Sequence, residues 1–105
     1  MKDLKNKKVL ITGGARGIGK QIALEFARQG ADIIICDSDK SFFNKTEFKK
    51  NRKEIEDIGA SCYGFYLDVT KYEDIIRERR SILDLVGKID VLVNNAGVVF
   101  GGNFL

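Results

Sequence analysis

Histidine is absent from the 105 residues, so the chain lacks both the commonest metal ligand and the commonest general base among side chains. No metal site is expected, and any catalysis must use other groups. Proline is absent too, and neither a repeat nor a low-complexity linker divides the chain, which reads as one domain or part of one. No stretch approaches the roughly 18 apolar residues of a membrane helix. The N-terminus, MKDLKNKK, leads straight into a strand pattern rather than a signal-peptide apolar region. These absences predict a cytoplasmic protein with no membrane partner. The two cysteines, Cys36 and Cys62, lack metal-type spacing. They fall near opposite ends of neighbouring strands, beyond disulfide reach, so buried thiols are expected.

What is present is an ordinary soluble balance, 44% hydrophobic and 31% charged with a net charge of +3. Basic residues are interleaved with acids apart from short runs at 5–8 and 49–53. Such runs are solvated faces rather than a nucleic-acid footprint, and no nucleic-acid partner is expected. At this length a real core can form, though the chain is short for a nucleotide-dependent enzyme.

Residues 8–12, KVLIT, are apolar and β-branched, and past a cluster of glycines Ile18, Ile22, Phe26 and Ala27 recur at helical spacing, with Gly30 as a stop. DIIIC at 32–36 is a second strand whose unbroken apolar run suits a parallel sheet covered on both faces. A polar segment, DSDKSFFNKT, precedes a charged helix of about a dozen residues ending near Gly59. CYGFYLD predicts a third strand, Tyr72 to Val86 a third helix, and DVLV at 90–93 a fourth strand. Strand and helix thus alternate with short connections. The pattern predicts an α/β fold, a Rossmann-like, doubly wound parallel sheet truncated after about four strands.

The glycines Gly13, Gly14, Gly17 and Gly19 make TGxxxGxG rather than the commoner GxGxxG. Gly13 lets the chain leave the strand sharply, while Gly17 and Gly19 offer no side chain to block a ligand or the helix packing beneath. The helix beginning there aims unpaired amides and the positive end of its dipole at the bend, a favourable place for a pyrophosphate. Glycines after a strand can also be a tight turn and nothing more. Asp37, 18 residues past Gly19 at the expected end of the second strand, stands where a carboxylate would accept hydrogen bonds from ribose hydroxyls. It argues for NAD over NADP, whose 2′-phosphate would meet a like charge; Arg16, inside the loop, pulls towards NADP because a guanidinium can pair with that phosphate. The alternative for Asp37 is a turn or cap residue before Ser38 and Asp39.

The chain resembles the N-terminal half of a short-chain dehydrogenase/reductase. TGGARGIG at 12–19, LDVT at 67–70 and NNAG at 94–97 carry the resemblance, in order and over nearly the whole chain. It implies that residues 1–105 are an NAD(P)-binding Rossmann-type domain. Within it Gly13, Ala15, Arg16, Gly17, Ile18 and Gly19 would form the phosphate bend, with the Ile18 backbone meeting the pyrophosphate. Asp37 would take the ribose, Asp68 and Val69 would flank the adenine, and Asn95, Ala96 and Gly97 would line the cofactor groove. In the family Asn94 and Asn95 also stabilise the middle of the sheet, so Asn95 carries either role. SFFNKTEFK after Asp37 looks longer than the family's usual segment and is read as a loop beside the adenine pocket.

The family's chemistry is hydride transfer between nicotinamide and an alcohol or carbonyl, with a YxxxK tyrosine as acid/base. Four positions after Tyr63, Tyr66 and Tyr72 come Leu67, Thr70 and Ile76, so no catalytic residue is assigned. The leading expectation is therefore the cofactor-binding half of an NAD(P)-dependent oxidoreductase, inactive as this chain alone. The alternatives are a non-catalytic dinucleotide-binding or interaction module and a binder of some other adenine nucleotide. A strand ending the sheet at 90–93 would leave Val91, Leu92 and Val93 with unpaired backbone, inviting self-association or a partner.

Overall fold

The computed structural model describes residues 3–44 and 46–95. β1 (Lys8–Thr12), β2 (Asp32–Asp37), β3 (Cys62–Tyr66) and β4 (Val91–Asn94) form one sheet in the order β3-β2-β1-β4, with every pairing parallel. Four strands in this order are the doubly wound sheet that the alternating pattern predicts. α1 (Gly17–Arg28), α2 (Lys40–Asn44), α3 (Thr46–Ile58) and α4 (Tyr72–Val86) connect them.

The middle strands explain the unbroken apolar runs. Parallel strands pair only through crossovers that put helices on the sheet faces, so β1 and β2 must be apolar on both sides. Val9, Ile11, Ile33 and Ile35 point into a core that includes Ala23, Leu24 and Ala27 of α1, Phe42 of α2 and Ile55 of α3. Leu10, Ile34 and Cys36 point the other way, onto Ile75 and Ile82 of α4. Each of these strand residues is at most 1% exposed, and burying one such side chain contributes about 2 kcal/mol. Cys36 and Cys62 are free thiols in opposite layers, and burial raises both in pKa, Cys62 to about 12.

The segment after Asp37 corrects one expectation. SFFNKTEFK is not a loop: its described residues fall in α2 and the first turn of α3. The cause is aromatic packing. Phe42, Phe43 and Phe48 meet edge-on or tilted, with ring centroids 4.9 to 5.7 Å apart, over Gly64 of β3, where an added Cβ would lie 2.5 Å from the Phe48 ring. A short helix places two adjacent aromatics against the sheet, where an extended polar loop would leave them in water.

β1, α1, β2, α2, α3 and β3 run towards one side of β1, with helices on one face. The chain then returns through α4 on the other face to place β4 on β1's opposite side. The winding direction thus reverses between β1 and β4. In open α/β sheets, a crevice opens beyond the carboxyl ends of the strands at such a point. β4 pairs with β1 alone among the described residues, and its Val91, Leu92 and Val93 are half-buried.

Candidate functional site

The site is built where β1 ends. Thr12 is fully buried; its hydroxyl donates to the Val93 carbonyl (3.4 Å) and accepts the Asn95 amide (3.1 Å). Gly13, at φ +67°, turns the chain out of the strand while its N–H donates to the Cys36 carbonyl at 2.8 Å. Two strand ends therefore hold the start of the bend. The Asn95 side chain supplies the third hold, donating from Nδ2 to the Gly13 carbonyl at 3.0 Å. Asn95 thus bridges β4 to the bend across the point where the winding reverses.

Gly19 and Gly17 serve different purposes. A Cβ on Gly19 would sit 2.1 Å from the Gly13 carbonyl oxygen and 2.7 Å from Asn95 Nδ2, so this glycine lets α1 press against the bend. A Cβ on Gly17 would meet nothing within 4 Å. Gly17 opens α1 at φ +59°, a left-handed conformation at the first helical residue that glycine adopts without cost. Arg16 occupies the cap position, but its side chain makes no capping hydrogen bond, and α1 has no acidic residue in its first turn. The positive end of this helix is therefore neither capped nor neutralised by its own side chains, and it faces open space at Gly17.

Carboxylates frame the other flank. Asp37 ends β2; one oxygen accepts the Ala15 amide (3.3 Å) and the other the Asp39 amide (3.0 Å). The turn role and a position at the bend thus coincide in one residue. Asp39 accepts the Ser41 hydroxyl and amide at 2.6 and 2.9 Å, and Arg16 Nη1 at 2.6 Å. These contacts, the Ser41 hydroxyl foremost, hold its carboxyl down at about 2. From α3, Asn51 Nδ2 donates to the Ala15 carbonyl at 2.9 Å in a buried hydrogen bond, and Lys20 pairs with Glu54 at 3.2 Å. A cleft between the bend, α1 and α3 is lined by the basic Arg16, Lys20 and Lys50 and by the acidic Glu47 and Glu54, with Ala15 and Gly17 at the bend.

A sequence profile described as short chain dehydrogenase matches residues 7–105. The chain belongs to this family. Short-chain dehydrogenase/reductase 3 of Homo sapiens is 39% identical over 107 residues, covering 100% of this chain and 33% of that protein. An NAD+-bound xylitol dehydrogenase superposes with a TM-score of 0.80 at 31% identity, over 92% of this chain and 35% of the other. A metagenomic short-chain oxidoreductase in complex with NADP gives 0.78 at 29% identity, over 90% and 41%. The chain spans about a third of the length of the curated relatives it matches.

Within this short-chain dehydrogenase framework the remaining predicted residues fall as follows. Ile18 lies in the first turn of α1 and is 74% exposed, so its side chain takes no part in packing the bend. Asp68 follows β3, accepting the Thr70 hydroxyl and amide at 2.6 and 3.0 Å, which holds its carboxyl below the usual range. Val69 packs with Leu67 and Ile75 in the core beneath. Ala96 and Gly97 lie outside the described residues. Among the described residues no helix is long and apolar enough to cross a membrane, and no cluster of His, Cys, Asp or Glu could hold a metal ion.

Thr12, the first residue of the glycine motif, ties the bend to β4, while Asn51 and Glu47, which contact the bend from α3, belong to no motif. Asn51 nevertheless leaves a signal. Phe48, Ile55 and Ile58 form the core-facing stripe of α3, with Ile55 buried and the other two half-buried, and Asn51 interrupts that stripe at helical spacing. A polar residue in an apolar row needs a buried partner, here the Ala15 carbonyl.

Proposed function

We propose that this chain forms the dinucleotide-binding part of an NAD(P)-dependent oxidoreductase, with NAD preferred. The observation that carries this reading is the α1 terminus, uncapped, free of acids in its first turn and open at Gly17, with the Asp37 carboxylate on its flank. Gly17 and Ile18 would present backbone amides to the pyrophosphate, Gly13 and Ala15 would shape the bend around it, and Gly19 keeps the helix close enough to do so. Each Asp37 oxygen accepts one backbone amide in the structure and keeps further acceptor capacity for ribose hydroxyls. Asp68, Val69 and the groove residues Asn95, Ala96 and Gly97 would complete the adenosine and nicotinamide flanks. When bound, the nicotinamide supplies hydride exchange with an alcohol or carbonyl; this chain's own residues bind and orient the dinucleotide.

The test is direct titration of the purified protein with NAD, NADP and ADP-ribose by calorimetry, alongside Gly17→Asp. A carboxylate at a helix N-terminus is compatible with folding, but it sets a like charge against the pyrophosphate. Like-charge contact costs several kcal/mol, so a loss of affinity of at least about a hundredfold is expected. Full affinity in a folded Gly17→Asp variant would overturn this placement of the phosphates.

A second reading, a non-catalytic module that pairs its open sheet edge with another chain, is favoured by β4 having one strand neighbour among the described residues. The same protein binding NAD and sedimenting as a complex held together through β4 would favour it.

A further inference from the structure

Arg16 lies in the glycine bend, yet its guanidinium is spoken for. Nε and Nη2 donate to the two oxygens of Glu47 at 3.1 and 3.0 Å, a bidentate fork, and Nη1 donates to Asp39 at 2.6 Å. The guanidinium carbon lies 5.8 Å from the ring centroid of Phe42, a fully buried residue. Asp39 is itself fixed by Ser41. One cation thus stands between two carboxylates on the flank where Asp37 contacts Ala15.

We propose that Glu47 of α3, together with Asp39, is a cofactor-selecting residue: by holding Arg16 in this fork it withdraws the cation that would otherwise pair with the 2′-phosphate of NADP. The inference rests on the dinucleotide reading above and adds to it a source of selectivity that Asp37 does not supply. Asp37 repels the 2′-phosphate; Glu47 and Asp39 remove what could attract it. A planar fork that matches a carboxylate also matches a phosphate, so the same guanidinium cannot serve both with the same donors. Glu47 lies 10 residues beyond Asp37 and on a different element, where the spacing rule for a ribose carboxylate does not look.

The experiment is a cycle of binding titrations with NAD and NADP on the wild type, the Glu47→Ala/Asp39→Asn double variant, and that variant with Arg16→Ala added. Asn keeps an oxygen to accept from Ser41, and the side chains of Glu47 and Asp39 are 46% and 35% exposed, so these variants fold, as a thermal melt will verify. The expected result is that the affinity ratio of NADP to NAD rises about tenfold in the double variant, the scale of one charge-assisted phosphate contact. Adding Arg16→Ala then removes the gain. A merely structural role would weaken both nucleotides alike and leave the ratio in place. An unchanged ratio with both nucleotides bound overturns the inference, and so does a gain that survives Arg16→Ala. Failure of the wild type to bind either nucleotide instead overturns the dinucleotide reading itself, and this inference falls with it.

Discussion

The two ends of the sheet solve opposite problems. At the amino end the polar groups are spent on one another. Lys8 pairs with Asp32 at 2.5 Å, Asp32 accepts the Ser61 amide at 2.9 Å, and Asp90 accepts the Lys8 amide at 2.8 Å while its own amide donates to the Lys8 carbonyl at 2.8 Å. The starts of β1, β2 and β4 are sewn together in this way. At the carboxyl end, the bend is just as firmly held, through Thr12, Cys36, Asn95 and Asn51. What it holds up, however, is a helix terminus with no cap and no acid of its own. Among the described residues the two ends differ in this way, and the difference supports the proposed placing of the dinucleotide at the carboxyl end.

The comparison breaks first at Gly19. Its added Cβ would meet the Gly13 carbonyl at 2.1 Å and Asn95 Nδ2 at 2.7 Å. The near neighbour is backbone, which a rotamer change cannot relieve, so Gly19→Ala must push α1 off the bend. A loss of about 3 kcal/mol is expected, at the upper end of overpacking costs, with dinucleotide binding lost as well; urea denaturation reads the first and calorimetry the second. Gly17→Ala sharpens the contrast. Here the Cβ meets nothing, and the cost is the left-handed backbone alone, about 1 kcal/mol. If Gly19→Ala proves no worse than Gly17→Ala in the melt, then the closed and open sides of the bend are not distinct as described.

That division of labour marks the limit of what could be read from the letters. β1 and α4 fall at the residues their patterns predict, β2 runs one residue longer and β4 shifts by one, because apolar runs between turn signals report burial directly. The glycines announce a bend, but TGxxxGxG does not say that Gly17 faces space and Gly19 faces Gly13; that depends on how close α1 lies to the strand end. Asn95 could be read either as a groove residue or as a sheet residue, and the described contacts, to Thr12 and Gly13, join the sheet to the bend. α2 and the start of α3 are where the reading went astray. DSDKS signals a turn, and the helix that follows depends on tertiary packing of Phe42, Phe43 and Phe48 around Gly64, a partner some 20 residues further on. The Arg16 fork is equally long-range, since neither Glu47 nor Asp39 is local to the bend in sequence.

The smallest effect concerns the closed end. Burial alone would raise the Asp32 carboxyl, but the Lys8 ammonium, the Ser61 amide and the Lys8 charge outweigh it and hold the group below its ordinary range. The amide of Lys8 foremost does the same for Asp90. A carboxylate that binds its proton less readily folded than unfolded stabilises the fold fully above the unfolded value of about 3.9. That contribution drains away as the pH falls through 3.9 towards the lower folded value. Asp32→Asn should therefore cost about 1 kcal/mol at pH 7, the scale of a partly exposed ion pair with one added hydrogen bond. The gap between variant and wild type should then close as denaturation curves are repeated from pH 5 down to pH 2. A gap that stays constant over that range would mean that Asp32 contributes by shape and not by charge, and the amino end would then be held by its backbone pairing instead of by the ion pair at Lys8.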